Sequence, residues 1–111
     1  MAAQIREAQA VCGTAVLGSK AALAAWLNVH RSQVTRLERG QEIGHEPGWR
    51  LAGLGAVVGA LSQVYDPEVI PDWLKGINAH LNHQRPIDLL HQGRVAEVMA
   101  AVEAARTGSY A

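Results

Sequence analysis

The sequence contains no phenylalanine, and its aromatic residues are limited to three tryptophans and two tyrosines. Strands favour aromatic and β-branched side chains, whereas this chain draws much of its 49% apolar content from alanine, the strongest helix former. The composition therefore argues against a β-sandwich and predicts an all-α protein. With 111 residues, the chain is long enough to fold alone, as one compact domain or as two small subdomains that share a core.

Cysteine occurs once, at Cys12, which excludes an intrachain disulfide and a cluster of thiolate metal ligands. We interpret Cys12 as a small core residue in a protein of a reducing compartment. The formal net charge is zero, so there is no global argument for nucleic-acid binding. The charge is uneven, however, because residues 19–50 hold five basic against three acidic side chains, and the part from residue 51 onward holds four against six.

Long apolar runs and catalytic groupings are also missing. The longest apolar run, residues 51–61, is shorter than the roughly 20 residues of a membrane-spanning helix, and the N-terminus lacks a signal pattern. We therefore expect a soluble, cytoplasmic protein. No nucleophile with a neighbouring base can be assembled, and His80, His83 and His91 lack a spacing that defines a metal site. We expect no enzymatic activity, no cofactor and no metal.

The first segment with helical periodicity covers residues 3–16. The residues that recur there at the spacing of one helical face are Ile5, Ala8, Val11, Cys12 and Ala15. We expect this face to be buried.

Two short helices are predicted next. Ser19 is a suitable N-cap for the first of them, and Asn28 after it tolerates the left-handed backbone that a tight turn requires. The following helix begins at His30 or Ser32 and ends at Gly40.

Residues 23–41 resemble the helix-turn-helix of the Xre/Cro repressor group in their Leu-Ala opening, turn, central apolar positions and Glu-Arg-Gly ending. The departure is Asn28, where the family usually has glycine. The resemblance implies that the following side chains face the DNA major groove: Arg31, Ser32, Gln33, Thr35 and Arg36. It also implies phosphate contacts by Arg39 and Lys20. The alternative is a helix pair that serves only as scaffold, with its polar residues merely solvated.

The second half begins with a predicted linker at residues 44–48, which contains one proline and two glycines. A long helix is expected over residues 49–65. Gly53, Gly55 and Gly59 in it suggest a surface that another backbone approaches closely, in the same chain or in a dimer mate.

Another helix is predicted to begin at Asp66-Pro67 and to end at Gly76, with Trp73 on its buried side. Further along, Pro86 suits the first position of a helix, and Asp88 lies at the positive end of its dipole.

The last predicted helix follows Gly93, which can end the preceding turn in a left-handed conformation. Its apolar stripe consists of Val95, Val98, Met99 and Val102.

This C-terminal half resembles the toxin-binding domain of Xre/MbcA/ParS-like antitoxins. The resemblance rests on Trp73, Asn78, Leu81, residues 85–90, Gly93, Val98 and Gly108. At His83 the family frequently has glycine. The resemblance implies a RES-domain toxin that degrades NAD as the partner, whose active-site cleft the C-terminal end of the antitoxin enters. It also implies binding to the operator DNA of the protein's own operon.

The expected toxin-binding residues are Arg85, Gly108, Ser109, Tyr110 and Ala111; the alternative for the tail is a disordered terminus without a role. We predict a DNA-binding region over residues 1–43, the linker at 44–48 and a helical toxin-binding domain over 49–111, in a homodimer within a larger toxin-antitoxin complex. The competing interpretation is a helix-turn-helix transcriptional repressor whose C-terminal half serves only dimerisation.

Overall fold

The computed structural model describes residues 2–108, and within them the chain is all-α, as predicted, with no β-strand. Its α-helices are α1 (Ala2–Leu17), α2 (Lys20–Leu27), α3 (Arg31–Glu38), α4 (His45–Leu61), α5 (Ile70–Lys75), α6 (Pro86–His91) and α7 (Val95–Thr107), and residues Ala79–Leu81 form a 3-10 turn. None of the described helices is by itself long and apolar enough to cross a bilayer. Only α1 and α2 taken together reach that length and composition, and the chain bends by 102° between them.

The chain divides into two compact units, one ending at Gly55 and the other beginning at Ala56. The division falls inside α4, whereas the sequence predicted a linker at residues 44–48. Those residues instead enter the helix, because Gly48 N donates to Gly44 O at 3.0 Å and α4 begins at His45. Pro47 is compatible with this first turn, since the N–H that proline lacks would have no partner within the helix there.

In the first unit, α1, α2 and α3 pack against one another. Predicted helix ends are confirmed: Ser19 Oγ accepts from Ala22 N at 3.0 Å, and Asn28 is left-handed with φ 61°. Gly40 has φ 77° after α3, and its carbonyl accepts from Arg6 Nε at 2.7 Å. The core of this unit consists of Ala10, Leu23, Ala24, Leu27, Val34, Leu37 and Leu51.

The buried face of α1 is not the predicted one. Ala10, Gly13 and Val16 are buried, while Ile5 is 56% and Val11 68% exposed. The reason is close packing, because a Cβ added at Gly13 would lie 2.8 Å from a methyl group of Leu23. The helix packs against its neighbours through its smallest residues, whereas the periodicity of the sequence had predicted that its larger apolar residues would be buried.

Cys12 is correspondingly only half-buried, and burial raises the pKa of its thiol, so the thiol stays protonated at neutral pH. For two glycines of α4, the described chain itself supplies no close backbone neighbour. An added Cβ at Gly55 would meet only Gln9 Cγ at 3.8 Å, and one at Gly59 would have no described neighbour within 4 Å. Within the part of the chain that the structure describes, no backbone approaches α4 closely at these two positions.

In the second unit, α6 packs against α5 and α7. Helix α5 begins at Ile70 rather than at Asp66-Pro67, because Val69 N donates back to Asp66 O in a turn and Pro71 occupies the first turn of the helix instead. Gly76 ends α5 as predicted. The core residues of this unit include Ile70, Leu74, Leu81, Ile87, Leu89, Leu90, Val98, Ala101 and Val102.

The predicted stripe of α7 is confirmed at Val98 and Val102 and is wrong at Met99, which is 37% exposed. Ala101 and Ala104 are buried in its place. Alanine was not counted as a member of the stripe, yet it packs where neighbouring side chains come close.

Asn78 organises the connection between α5 and α6. Its Oδ1 accepts from His80 N at 2.9 Å, its carbonyl accepts from Leu81 N and His83 N, and its own N–H donates to Gln84 O at 3.1 Å. Asn82 and His83 then follow in the left-handed conformation, with φ 55° and 63°. Thus His83 adopts a backbone conformation that suits the glycine frequent at this position in the resembling family.

We expect His83→Gly to raise the free energy of unfolding by about 1 kcal/mol, because a left-handed backbone costs a side-chain-bearing residue roughly that much. Urea denaturation followed by circular dichroism measures the change. His80→Gly is the matched control: among the described residues only Asn28, Asn82 and His83 have a positive φ without being glycine, so His80 gains nothing from glycine and should lose stability. Destabilisation by both substitutions would contradict the strain at His83.

Candidate functional site

The orientation of α3 is fixed at both ends and along its buried side. His30 Nδ1 accepts from Ser32 N at 3.1 Å and caps the first turn of α3. Gly40, which has a positive φ, follows the last turn of the helix. Val34 and Leu37 are buried in the core of the first unit. The opposite face of α3 is therefore presented outward.

The six residues predicted to contact DNA lie on this helix or directly after it. Arg31, Ser32, Arg36 and Arg39 are exposed, and Gln33 and Thr35 are half-buried. Helical geometry places Ser32 and Arg36 one turn apart, opposite Val34 and Leu37. Folding thus brings the predicted set onto one outward surface, which we call the α3 surface.

The carboxylates near the α3 surface do not neutralise its arginines. The neighbouring carboxylates have other cations as partners, since Glu38 pairs with Lys20 at 2.7 Å and Glu42 lies 3.6 Å from Arg6. Lys20, predicted to contact phosphate, is engaged by Glu38. By contrast, no described carboxylate pairs with the guanidinium groups of the α3 surface, which belong to Arg31, Arg36 and Arg39.

Arg36 has one polar partner, because its Nε donates to Gln41 Oε1 at 3.2 Å. This hydrogen bond holds the guanidinium without neutralising it, so its charge and its remaining donors stay available. Helical periodicity could not predict this contact, since Gln41 lies beyond the end of the helix.

Arg85, predicted to contact the toxin, is the N-cap residue of α6 and is exposed. Its Nε and Nη2 donate to the two carboxylate oxygens of Asp88 at 2.9 and 2.8 Å. These hydrogen bonds are the largest cause lowering the pKa of Asp88, and Asp88 in turn raises the pKa of Arg85. Because two N–H groups of its guanidinium are already bound to Asp88, Arg85 stabilises the start of α6. Only its remaining N–H groups are left for a partner.

Gly108, another predicted toxin contact, ends α7 with φ 75° and ψ 15°, and its N–H donates to the carbonyls of Ala104 and Ala105. This left-handed conformation ends the helix. Ser109, Tyr110 and Ala111, the rest of the predicted contact, lie outside the described residues.

The second unit contains a groove of about 260 Å³ that the sequence did not predict. Its apolar walls are Tyr65, Trp73, Ile77, Ala101 and Ala105, and Asp72, Asn78 and His80 lie at its polar side. We call it the α7 groove. Trp73, assigned to the core from sequence, is half-buried and lines this groove. The misassignment arose because periodicity marks an apolar face without showing whether anything covers it.

Among residues 2–108, no three histidine, cysteine, aspartate or glutamate side chains are placed so that they could hold a metal ion.

Comparisons with known proteins found a relative in sequence and a similar fold among solved structures. No family model matches the chain. The chain is 39% identical over 61 residues to the "Probable mycobacterial cidal antitoxin Rv3188" of Mycobacterium tuberculosis, a match that covers 55% of this chain and only about half, 53%, of that protein. Its fold is similar to that of a chain in the crystal structure of the M. tuberculosis MbcT-MbcA toxin-antitoxin complex. That alignment has a TM-score of 0.75 at 23% identity, over 95% of this chain and 96% of the other. The sequence match confirms the resemblance to an antitoxin, and the structural match shows a shared fold.

Proposed function

We propose that this protein is the antitoxin of a toxin-antitoxin pair, which neutralises a RES-domain, NAD-degrading toxin by direct binding. The observation that carries the proposal is the 39% identity to a protein named as an antitoxin. The second unit supports it, because Asn78 orders the connection before α6 and Gly108 ends α7, and both are positions on which the resemblance rests. Inhibition of this kind is non-enzymatic, since it needs only a surface that excludes the substrate.

The tail after α7 is the inhibitory element in this proposal. Gly108 ends the helix and lets the following residues leave it. Tyr110 then supplies an aromatic anchor, which buries a large area at a modest cost in conformational entropy. The tail would enter the toxin's active-site cleft and deny it NAD.

Removing residues 108–111 should restore NAD consumption by the toxin in a purified mixture, because the anchor is lost while the packed residues of α7 remain. NAD consumption is followed in the presence of the full-length or the truncated antitoxin. Tyr110→Ala should reproduce most of the effect, and circular dichroism confirms that each variant is folded. Full inhibition by the truncated, folded protein would contradict a plug formed by the tail.

We further propose that the α3 surface binds operator DNA and represses the protein's own operon. An α-helix fits the major groove, where arginine can form bidentate hydrogen bonds with guanine and glutamine with adenine. The guanidinium groups of Arg31, Arg36 and Arg39, which lack carboxylate partners in the described structure, supply the positive charge. Gln33 and Thr35 flank them on the same helix.

The double substitution Arg31→Ala with Arg36→Ala should weaken operator binding at least about tenfold and lower the slope of log K against log salt by roughly 2, because two phosphate or base contacts are lost. Fluorescence anisotropy with the DNA upstream of the operon measures both quantities. Lys75→Ala with Arg94→Ala is the control, because it removes the same charge from exposed positions of the second unit.

The same double variant separates the two candidate functions. An antitoxin that acts through its second unit keeps toxin inhibition when operator binding is lost. If the protein is only a repressor, substituting the two arginines should abolish its whole cellular phenotype. Equal loss of operator binding in the Lys75/Arg94 control would show that net charge, and not the α3 surface, binds DNA.

We propose, finally, that the protein forms a homodimer through the exposed side of α1. Ile5 and Val11 are more than half exposed there, and Ala8 and Ala15 are exposed beside them. This is the apolar stripe that the sequence predicted to be buried, and a second copy would cover it.

Val11→Glu should convert the dimer to a monomer, because the substitution places a charge in the proposed apolar contact. Sedimentation equilibrium measures the mass. Val69→Glu is the control, since Val69 is an exposed valine of the second unit, at 40%. A dimer that persists in Val11→Glu would exclude this interface.

A further inference from the structure

Gln41 is bound twice to the last turns of α3. Its backbone N–H donates to Arg36 O at 2.9 Å, and Gly40 N donates to Leu37 O at 2.8 Å, with Gly40 in the left-handed conformation. These two hydrogen bonds around a left-handed glycine form a Schellman motif, which brings the chain after the helix back to Arg36. The side chains add a second contact, because Arg36 Nε donates to Gln41 Oε1 at 3.2 Å.

The turn that holds Gln41 is packed against α1. Gly40 is buried, and a Cβ added to it would lie 2.7 Å from Ala3 Cβ, so no side chain fits between this turn and α1. Arg6 of the same helix donates from its Nε to Gly40 O at 2.7 Å. The backbone of Gln41 is therefore fixed beside Arg36, although the side chains of both residues are exposed.

This contact leaves one edge of the Arg36 guanidinium free. Nε has a single hydrogen and can only donate, so the amide oxygen of Gln41, and not its nitrogen, must face it. The remaining donors are the N–H groups of Nη1 and Nη2, which form the end of the planar group. Two donors side by side at that end match two neighbouring acceptors, and guanine presents such a pair, O6 and N7, in the major groove.

We propose that Gln41 is a positioning residue for base recognition, which orients Arg36 so that Nη1 and Nη2 bind O6 and N7 of one operator guanine. Because the guanidinium is already held in the free protein, less conformational entropy is lost when it binds DNA. Gln41 itself acts only through Arg36. This role rests on the proposed binding of operator DNA by the α3 surface.

Gln41→Met removes the acceptor and keeps a side chain of similar length, so Arg36 keeps its charge and loses its fixed orientation. Affinity for the DNA upstream of the operon should fall about fivefold. The slope of log K against log salt should stay unchanged, because no charge is lost. Fluorescence anisotropy measures both quantities, and circular dichroism confirms that the variant is folded.

Gln92→Met is the matched control. Gln92 is also an exposed glutamine that accepts from an arginine, since Arg94 Nη1 donates to its Oε1 at 3.3 Å, but it belongs to the second unit. This substitution should change neither the affinity nor the salt slope. An equal loss of affinity in Gln92→Met would overturn the specific role of Gln41.

A double-mutant cycle separates positioning from direct contact. If Gln41 acts only through Arg36, Gln41→Met should cost no further affinity once Arg36→Ala is present. The same loss in both backgrounds would show that Gln41 contacts DNA itself and would overturn the proposal.

Replacement of single bases tests the guanine. Each guanine of the DNA is replaced in turn by deazaguanine, which lacks N7, and the guanine that Arg36 binds is the one whose replacement no longer matters in Arg36→Ala. At that position the replacement should weaken binding by the wild type about tenfold and binding by Gln41→Met only about twofold. Gln41→Glu keeps an acceptor for Nε and should retain the larger discrimination. Equal discrimination by the wild type and Gln41→Met, or no guanine coupled to Arg36, would overturn the proposal.

The role of Gln41 and DNA binding by the α3 surface fail in different ways. A wild-type protein that does not bind the operator overturns DNA binding, and the role of Gln41 with it. Wild-type binding that Gln41→Met leaves unchanged, both in affinity and in guanine discrimination, overturns the role of Gln41 alone.

Discussion

Left-handed backbone residues at the ends of short helices are the constraint on which this structure depends. The chain is rich in alanine, so helices form readily, and the positions at which they stop decide which side chains become neighbours. Asn28, Gly40, Gly93 and Gly108 have positive φ at such ends, with values of 61°, 77°, 78° and 75°. A residue in this conformation can end a helix and lets the chain change direction. The proposed surfaces lie next to these ends: α3 runs between the first two, and the proposed inhibitory tail begins after the last.

Small side chains govern the packing of the helices between these ends. With no phenylalanine to fill space, the first unit relies on close contact, as at Gly13, where even a methyl group would meet Leu23 at 2.8 Å. Larger apolar residues such as Ile5 and Val11 are then left outside. The second unit likewise buries a small residue in place of a larger one, since Ala101 is buried while Met99 is partly exposed. Apolar surface that a larger core would bury is thereby left for a partner.

The two proposed functions reside in different units and use different physics. The α3 surface depends on charge, and its three guanidinium groups keep that charge because nearby carboxylates are paired with other cations. The tail depends on aromatic burial, which needs no net charge and little preformed structure. A protein with zero net charge can serve both roles because the relevant quantity is the charge of a local surface, not that of the chain.

The sequence by itself determined the all-α class and most helix ends, since a cap depends on residues within about four positions: Ser19, Asn28, Gly40 and Gly76 were all assigned correctly. The sets of DNA- and toxin-binding residues that the sequence suggested stay predictions. Only the tertiary structure decided which face of α1 is buried, that Glu38 engages Lys20, and that Trp73 lines a groove. Each of these depends on side chains brought together from distant positions, and periodicity along one helix contains no information about the shape or charge of its neighbours.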